Sequence, residues 1–332
     1  MRCIISCMGY VFLLIASFAG ITKMAAMKGC GKVCPGAYNS VRINAFRSLL
    51  CAAVALAVFL ASGARAEKEE WWLWLISGAS NAAMMFAWLL CSERIGLVFV
   101  ESFCMLGSVA IPLFLAPVLY EGEAVNARQW AGAACLLAAP ALLFAKRKNA
   151  AAARGGEMKE FSGNIPERAA AQTEKTAAER RKAAAITAAY IVLLVLSNAG
   201  VSITQKLYPA RTGKEYAPFF NLMTFFAVCA CFLAALLAGK AFAGKRLLPE
   251  NAASGKKLAA FVSVAAVMIY VYSFFATLAA EALPSAVYYP LARGVSMLLT
   301  VLCDSIVFRQ KITGNVWAAL AFIFAAIALT SL

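Results

Sequence analysis

Histidine is missing from the sequence altogether, aspartate occurs once, at Asp304, and charged residues of all kinds make up only 14% of the 332 positions. Each shortage removes a class of function. Without histidine there is no imidazole general base, no Ser-His or Cys-His nucleophile and no His-ligated metal; with one aspartate there is no di-aspartate dyad. The chain also lacks a Gly-rich loop of the kind that cradles phosphates, so ATP is not expected to drive it. Catalytic residues, metal ligands and cofactors are therefore all expected to be absent. So little charge cannot clothe a soluble protein of this length.

What the chain has in excess is apolar residues, 63% of the total. They gather in blocks of about twenty, the length that crosses a bilayer as a helix. Ten spans are predicted: Ile4 to Met24, Tyr38 to Ser62, Trp71 to Leu90, Ile95 to Leu119, Gln129 to Ala145, Ala183 to Lys206, Phe219 to Ala238, Lys257 to Leu278, Pro284 to Phe308, and Val316 to Leu332. The first block follows a single charge, Arg2, in the manner of a signal peptide, but "SFAGITKM" after Ser17 resembles "SNAGVSITQKL" after Ser197, so it is read as a retained span. Of eleven cysteines, most (Cys51, Cys104, Cys135, Cys229, Cys303) fall inside apolar blocks and act as small hydrophobes; Cys30 and Cys34 are read as sharing a polar loop.

The spans divide five and five. Residues 1–145 form a first repeat, 146–182 a charged, Ala-rich linker, and 183–332 a second repeat. The second part of the linker is expected to be an exposed helix opening at Pro166. Because five is odd, the second copy must lie upside down relative to the first, so the expected fold is all-α and integral to the membrane, ten helices as two inverted five-helix repeats. Apart from Arg47 and Arg293 within spans, Lys and Arg number twenty-two on the linker side and seven on the other. The richer side should be cytoplasmic, with both termini outside. The net charge of +15 is thereby a property of membrane loops and not of a nucleic-acid surface. The expected partners are the lipid bilayer and a small molecule, no nucleic acid, with the chain a monomer or homodimer in the cell membrane, of bacterial inner or plasma type.

In this order of spans, "NAFRSLL", "YEGEAVNARQWAG", "GVSITQKL" and "LPSAVYYPLARG" resemble stretches of the drug/metabolite transporter superfamily in its ten-span EamA-type form, over nearly the whole chain. The resemblance implies a secondary transporter and not an enzyme. There are departures: "FRQKITG" puts Arg309 and Gln310 where a Gly-Glu turn belongs, Ser48 follows the arginine of "NAFRS", and neither span one nor span six carries a carboxylate of the kind small multidrug relatives use for proton exchange. Glu121 and Glu123 of the first Gly-Glu turn are read as structural, beside a helix amino terminus.

Charges inside spans must meet a cavity or a partner, since each costs about 2.5–3.5 kcal/mol at a helix centre. Arg47, Glu101, Arg293 and Asp304 are such charges. Helical spacing collects Tyr289, Arg293, Ser296, Thr300 and Asp304 on one face; Glu101, Met105, Ser108 and Pro112 on another; Asn81, Met84, Met85 and Trp88 on a third; and Tyr270, Ser273 and Thr277 on a fourth. The expected substrate site is Arg293, Arg47, Tyr289, Glu101, Asn81, Trp88 and Tyr270. Two readings of Arg293 stay open: a planar fork for a substrate's carboxylate or phosphate, or a salt bridge to Glu101 that only holds the halves together. Two arginines against one glutamate favour an anionic or zwitterionic metabolite, amino acid-like or phosphorylated. The alternatives are efflux of cationic compounds, multidrug fashion, and a scaffold that transports nothing.

Overall fold

The computed structural model describes residues 2–33, 37–66, 69–95, 97–120, 126–135, 138, 177–243, 252–306 and 314–331. Every regular element among them is helical: α1 (Arg2–Val33), α2 (Ala37–Ser62), α3 (Trp71–Ile95), α4 (Leu97–Met105) running through a π-helical turn (Leu106–Ala110) into α5 (Ile111–Leu119), α6 (Ala177–Thr212), a 3-10 turn (Lys214–Tyr216), α7 (Ala217–Ala243), α8 (Ala252–Ala282), α9 (Ser285–Ile306) and α10 (Gly314–Ser331). Among the described residues eight helices are long and apolar enough to cross a membrane, the first of them over Met8–Cys30 and the fourth over Phe99–Leu119. Their outward faces carry large exposed apolar side chains, among them Leu60, Phe114, Val118, Leu196 and Leu237, as contact with lipid requires.

The expected fifth span lies mostly outside the described residues, as do the linker helix at Pro166, the turn at Glu121 and Glu123, and Arg309 and Gln310. Its start is described. Asn126 Oδ1 accepts from the Gln129 N–H at 2.8 Å while Gln129 Oε1 accepts from the Asn126 N–H at 3.0 Å, a reciprocal cap that opens helix at 127–135. Helix α10 covers the expected tenth span but is not among the eight. One boundary is corrected: α1 does not stop near Met24 but continues to Val33, so Lys23 and Lys28, counted with the loops, lie inside the first span, and Cys30 is fully buried there instead of sitting in a polar loop. Lys206, also counted with the loops, is buried within the span Lys182–Thr212.

Three antiparallel pairs organise the bundle, α1 with α8, α3 with α6 and α2 with α7, joined by α3 with α7 and α2 with α8. Glycines set the closest approaches. A Cβ on Gly78 would collide with Ala227 and one on Gly200 with Ser80, so α3 meets α7 and α6 almost backbone to backbone; a Cβ on Gly107, in the π turn, would strike the Val195 carbonyl of α6. On α1 the pattern is different, since Gly20 and Gly29 lie under the rings of Tyr272 and Phe261. These contacts also give the bundle two named ends. Arg94 Nη1 donates to Thr187 Oγ1 at 3.1 Å at one end, and Arg211 pairs with Glu70 at 3.3 Å at the other.

Candidate functional site

A cavity opens in the middle of the bundle, and each of the eight spans contributes to its wall. Its empty space, open solvent at the mouth included, is about 800 Å³. From α1 come Gly20, Lys23, Met24 and Met27; from α2 Arg47; from α3 Asn81, Met84, Met85 and Trp88; from α4 Glu101 and Cys104; from α6 Asn198, Val201 and Gln205; from α7 Phe225; from α8 Ile269, Tyr272 and Ser273; and from α9 Arg293 and Ser296. Five sulfur-bearing and three aromatic side chains supply most of its apolar surface, and three cations and one carboxylate are set among them, a mixture of apolar walls and a few polar groups that suits a ligand site.

Each charge is held differently. Arg47 is only 3% exposed, and among the described residues its Nε and Nη2 find no hydrogen-bond partner. Such donors cost about 1–3 kcal/mol each when left unmatched, and water or a ligand in the cavity would satisfy them. Arg293, half-buried, donates from Nη2 to Asn198 Oδ1 at 3.1 Å, and Asn198 is itself fixed by donating to the Leu194 carbonyl at 3.1 Å and to Cys104 Sγ at 3.3 Å. Lys23 rests its ammonium 4.1 Å from the centre of the Tyr272 ring. Glu101, 7% exposed, accepts from the indole N–H of Trp88 at 2.9 Å. None of the three cations forms an ion pair with it within 4 Å among the described residues. The salt bridge between Arg293 and Glu101 weighed from the sequence is therefore not formed in this structure. Further along the wall, Gln205 Nε2 donates to Ser273 Oγ at 3.4 Å and Ser273 donates to Asn221 Oδ1 at 2.6 Å, which fixes the polar edge of α8.

Of the seven residues expected at the site, Arg293, Arg47, Glu101, Asn81 and Trp88 lie on this one wall, and the α3 face Asn81, Met84, Met85, Trp88 lines it throughout. Tyr289 and Tyr270 are not on the lining. The Tyr289 hydroxyl meets that of Tyr120 at 2.9 Å and donates to the Ser202 carbonyl at 3.1 Å, while Tyr270 packs between Phe225 and Phe274. The face Glu101, Met105, Ser108, Pro112 is interrupted because the π turn adds a residue to the helical repeat and rotates the residues beyond it; Glu101 and Cys104 line the cavity, and Ser108 instead turns back to donate to the Cys104 carbonyl at 2.7 Å. The side chain of Asp304 lies outside the described residues. Lys23, Asn198, Gln205 and Tyr272 were not expected at the site. Lys23 and Asn198 do carry a signal, the paired stretches after Ser17 and Ser197, but in the sequence that pairing marks the repeat and not the cavity.

Toward the Arg211 end the cavity stops at Gln205 and Ser273, and beyond them the bundle is closed. Lys206, 5% exposed, donates to the carbonyls of Ala280 and Leu283 at 3.2 and 2.9 Å, satisfying the end of α8; the rings of Tyr208 and Phe220 stack with centroids 4.6 Å apart; Tyr120 and Tyr289 join α5 to α9. Toward the Arg94 end the wall continues through Met27 and Trp88 to Glu101, two residues inside its span.

No family model matches the chain, and no curated protein matches it. Among solved structures, one described only as "Crystal structure of protein" is similar with a TM-score of 0.59 at 18% identity, over 99% of this chain and 96% of that one, a likeness that bears on the fold alone.

Proposed function

We propose that the protein is a secondary transporter of a small anionic or zwitterionic metabolite, of the drug/metabolite type that its motifs resemble. The observation that carries this reading is Arg47: a buried guanidinium with unmatched donors on the wall of a central cavity, among helices long enough to cross a membrane. A scaffold gains nothing from such a group, and a site for lipophilic cations would be opposed by it.

The architecture in this reading is ten spans in two inverted repeats. Its support is the pattern of packing. If α1 corresponds to α6, α2 to α7, α3 to α8 and α4 to α9, then the pair α1 with α8 becomes α6 with α3, the pair α2 with α8 becomes α7 with α3, and the pair α1 with α9 becomes α6 with α4; all of these pairs are in contact, and α2 with α7 maps onto itself. Corresponding helices run in opposite directions, as inversion demands. A cavity between such halves, closed at one end by Lys206 and the tyrosines, is what alternating access calls for. Moving Lys23, Lys28 and Lys206 out of the loop count takes two charges from the linker side and one from the other, so the basic excess still puts the Arg94 end, where α6 follows the linker, in the cytoplasm of a bacterial cell.

The test is counterflow in proteoliposomes. Vesicles loaded with a metabolite mixture should accumulate one labelled anionic or zwitterionic component against its gradient, and Arg293→Ala should abolish the accumulation while the protein still inserts. Vesicles that exchange no metabolite, or only lipophilic cations, would sink the reading.

A further inference from the structure

Resting on the reading of this cavity as a substrate site, we propose that its ligand is a small dianion and that Lys23 sets this charge requirement. The wall carries Lys23, Arg47 and Arg293 against Glu101 alone, a formal excess of two positive charges. Lys23 lies within electrostatic reach of all three others. Between membrane helices such an excess is screened less by salt than at a protein surface, and a ligand that cancels it gains more than one that does not. A zwitterion leaves both charges standing, a monoanion leaves one, and a dianion leaves none.

The hydrogen-bond state of each cation agrees with this count. Arg47 has donors without partners, and Asn198 occupies Arg293 through Nη2. Among the described residues the Lys23 ammonium makes no hydrogen bond and rests on a ring face, which attracts a cation without using any of its N–H groups. Three donor groups are therefore presented to one space. The single carboxylate is already engaged by Trp88 through Oε1, which holds it against the wall. Met24, Met84 and Phe225 line the same space beside the charges and offer an apolar surface to the ligand's carbon atoms. The cluster belongs to both halves, Lys23 and Arg47 to the first and Arg293 to the second, so a dianion would bridge them.

Purified protein in a bis-Tris gluconate buffer at pH 7 tests this with probes of matched shape: succinate and phenyl phosphate as dianions, succinamate and benzoate as monoanions, and phenylalanine as the zwitterion, each titrated by its effect on thermal unfolding. Dianions should bind about tenfold tighter than their monoanionic counterparts. Lys23→Met should reduce that advantage to within about twofold, and Lys23→Arg should keep it. Glu101→Gln, which removes the one opposing charge, should tighten dianion binding. Equal affinity for monoanions or phenylalanine in the unaltered protein, protection by none of the dianions, or loss of dianion binding in Glu101→Gln would each overturn the proposal. Because binding is read without vesicles, a protein that prefers dianions yet exchanges nothing in proteoliposomes would retire transport and leave the charge requirement standing, whereas transport of a zwitterion with the dianions inert would do the reverse.

Discussion

The two ends of the bundle hold the same kinds of residue for opposite purposes. At the Arg211 end a lysine and two tyrosines satisfy one another and the backbone: Lys206 takes the carbonyls of Ala280 and Leu283, and Tyr120 takes Tyr289. In the middle, toward the Arg94 end, a lysine and two arginines face a space, and Arg47 keeps donors without partners among the described residues. Polar residues within membrane helices are thus of two sorts, and what separates them is whether their hydrogen-bonding capacity is used up inside the chain. The first sort stabilises a closed end. The second costs stability, and the proposed ligand would offset that cost.

The largest expected effect separates the two sorts most sharply. Arg47→Leu should weaken binding of the succinate or phenyl phosphate probe about 100-fold, equivalent to about 2.7 kcal/mol, yet raise the melting temperature of the ligand-free protein, because the unmatched buried donors disappear. A lower melting temperature would place Arg47 with the structural sort. Next comes Lys206→Met, which leaves two carbonyls at the end of α8 without a donor and should cost about 2 kcal/mol in stability with probe affinity unchanged. Denaturation followed by melting and by probe titration in parallel checks both halves of that expectation. Tyr289→Phe should cost about 1 kcal/mol, and combining it with Tyr120→Phe should cost less than the two singles together, since both remove the same bond. The smallest effect belongs to Arg211→Gln: its ion pair with Glu70 is partly exposed, and the loss should be under about 0.5 kcal/mol and vanish in high salt.

The helical blocks, the face Asn81, Met84, Met85, Trp88 and the two arginines were legible in the sequence because each depends on local spacing. Lys23 was not, because hydropathy alone ended the first block near Met24, and a lysine next to that edge reads as a loop charge; only the continuation of α1 to Val33 puts it in the wall. Tyr289 and Arg293 share a helix face four residues apart, but spacing cannot say which neighbour covers which part of it. Here α5 brings Tyr120 over one and α6 brings Asn198 to the other. Asn198 was invisible for a related reason: an amide in a helix has the same local pattern whether it steadies its own backbone or an arginine 95 positions away. The π turn was hidden too, and with it the point at which the face beginning at Glu101 changes direction.

The glycine crossings bear on how such a bundle can move. Where α3 meets α6 and α7, the obstacles around Gly200 and Gly78 are the short side chains of Ser80 and Ala227 and the backbone of Thr224, none of which can swing aside. Where α1 meets α8, they include the rings of Tyr272 and Phe261, which can. Any rocking of one part of the bundle against another therefore finds an axle at α3, α6 and α7 and a sliding bearing at α1 and α8. The bearing includes Tyr272, the ring that carries Lys23, so shear along it would drag a cation across the cavity while the axle kept Asn198 and Asn81 in place.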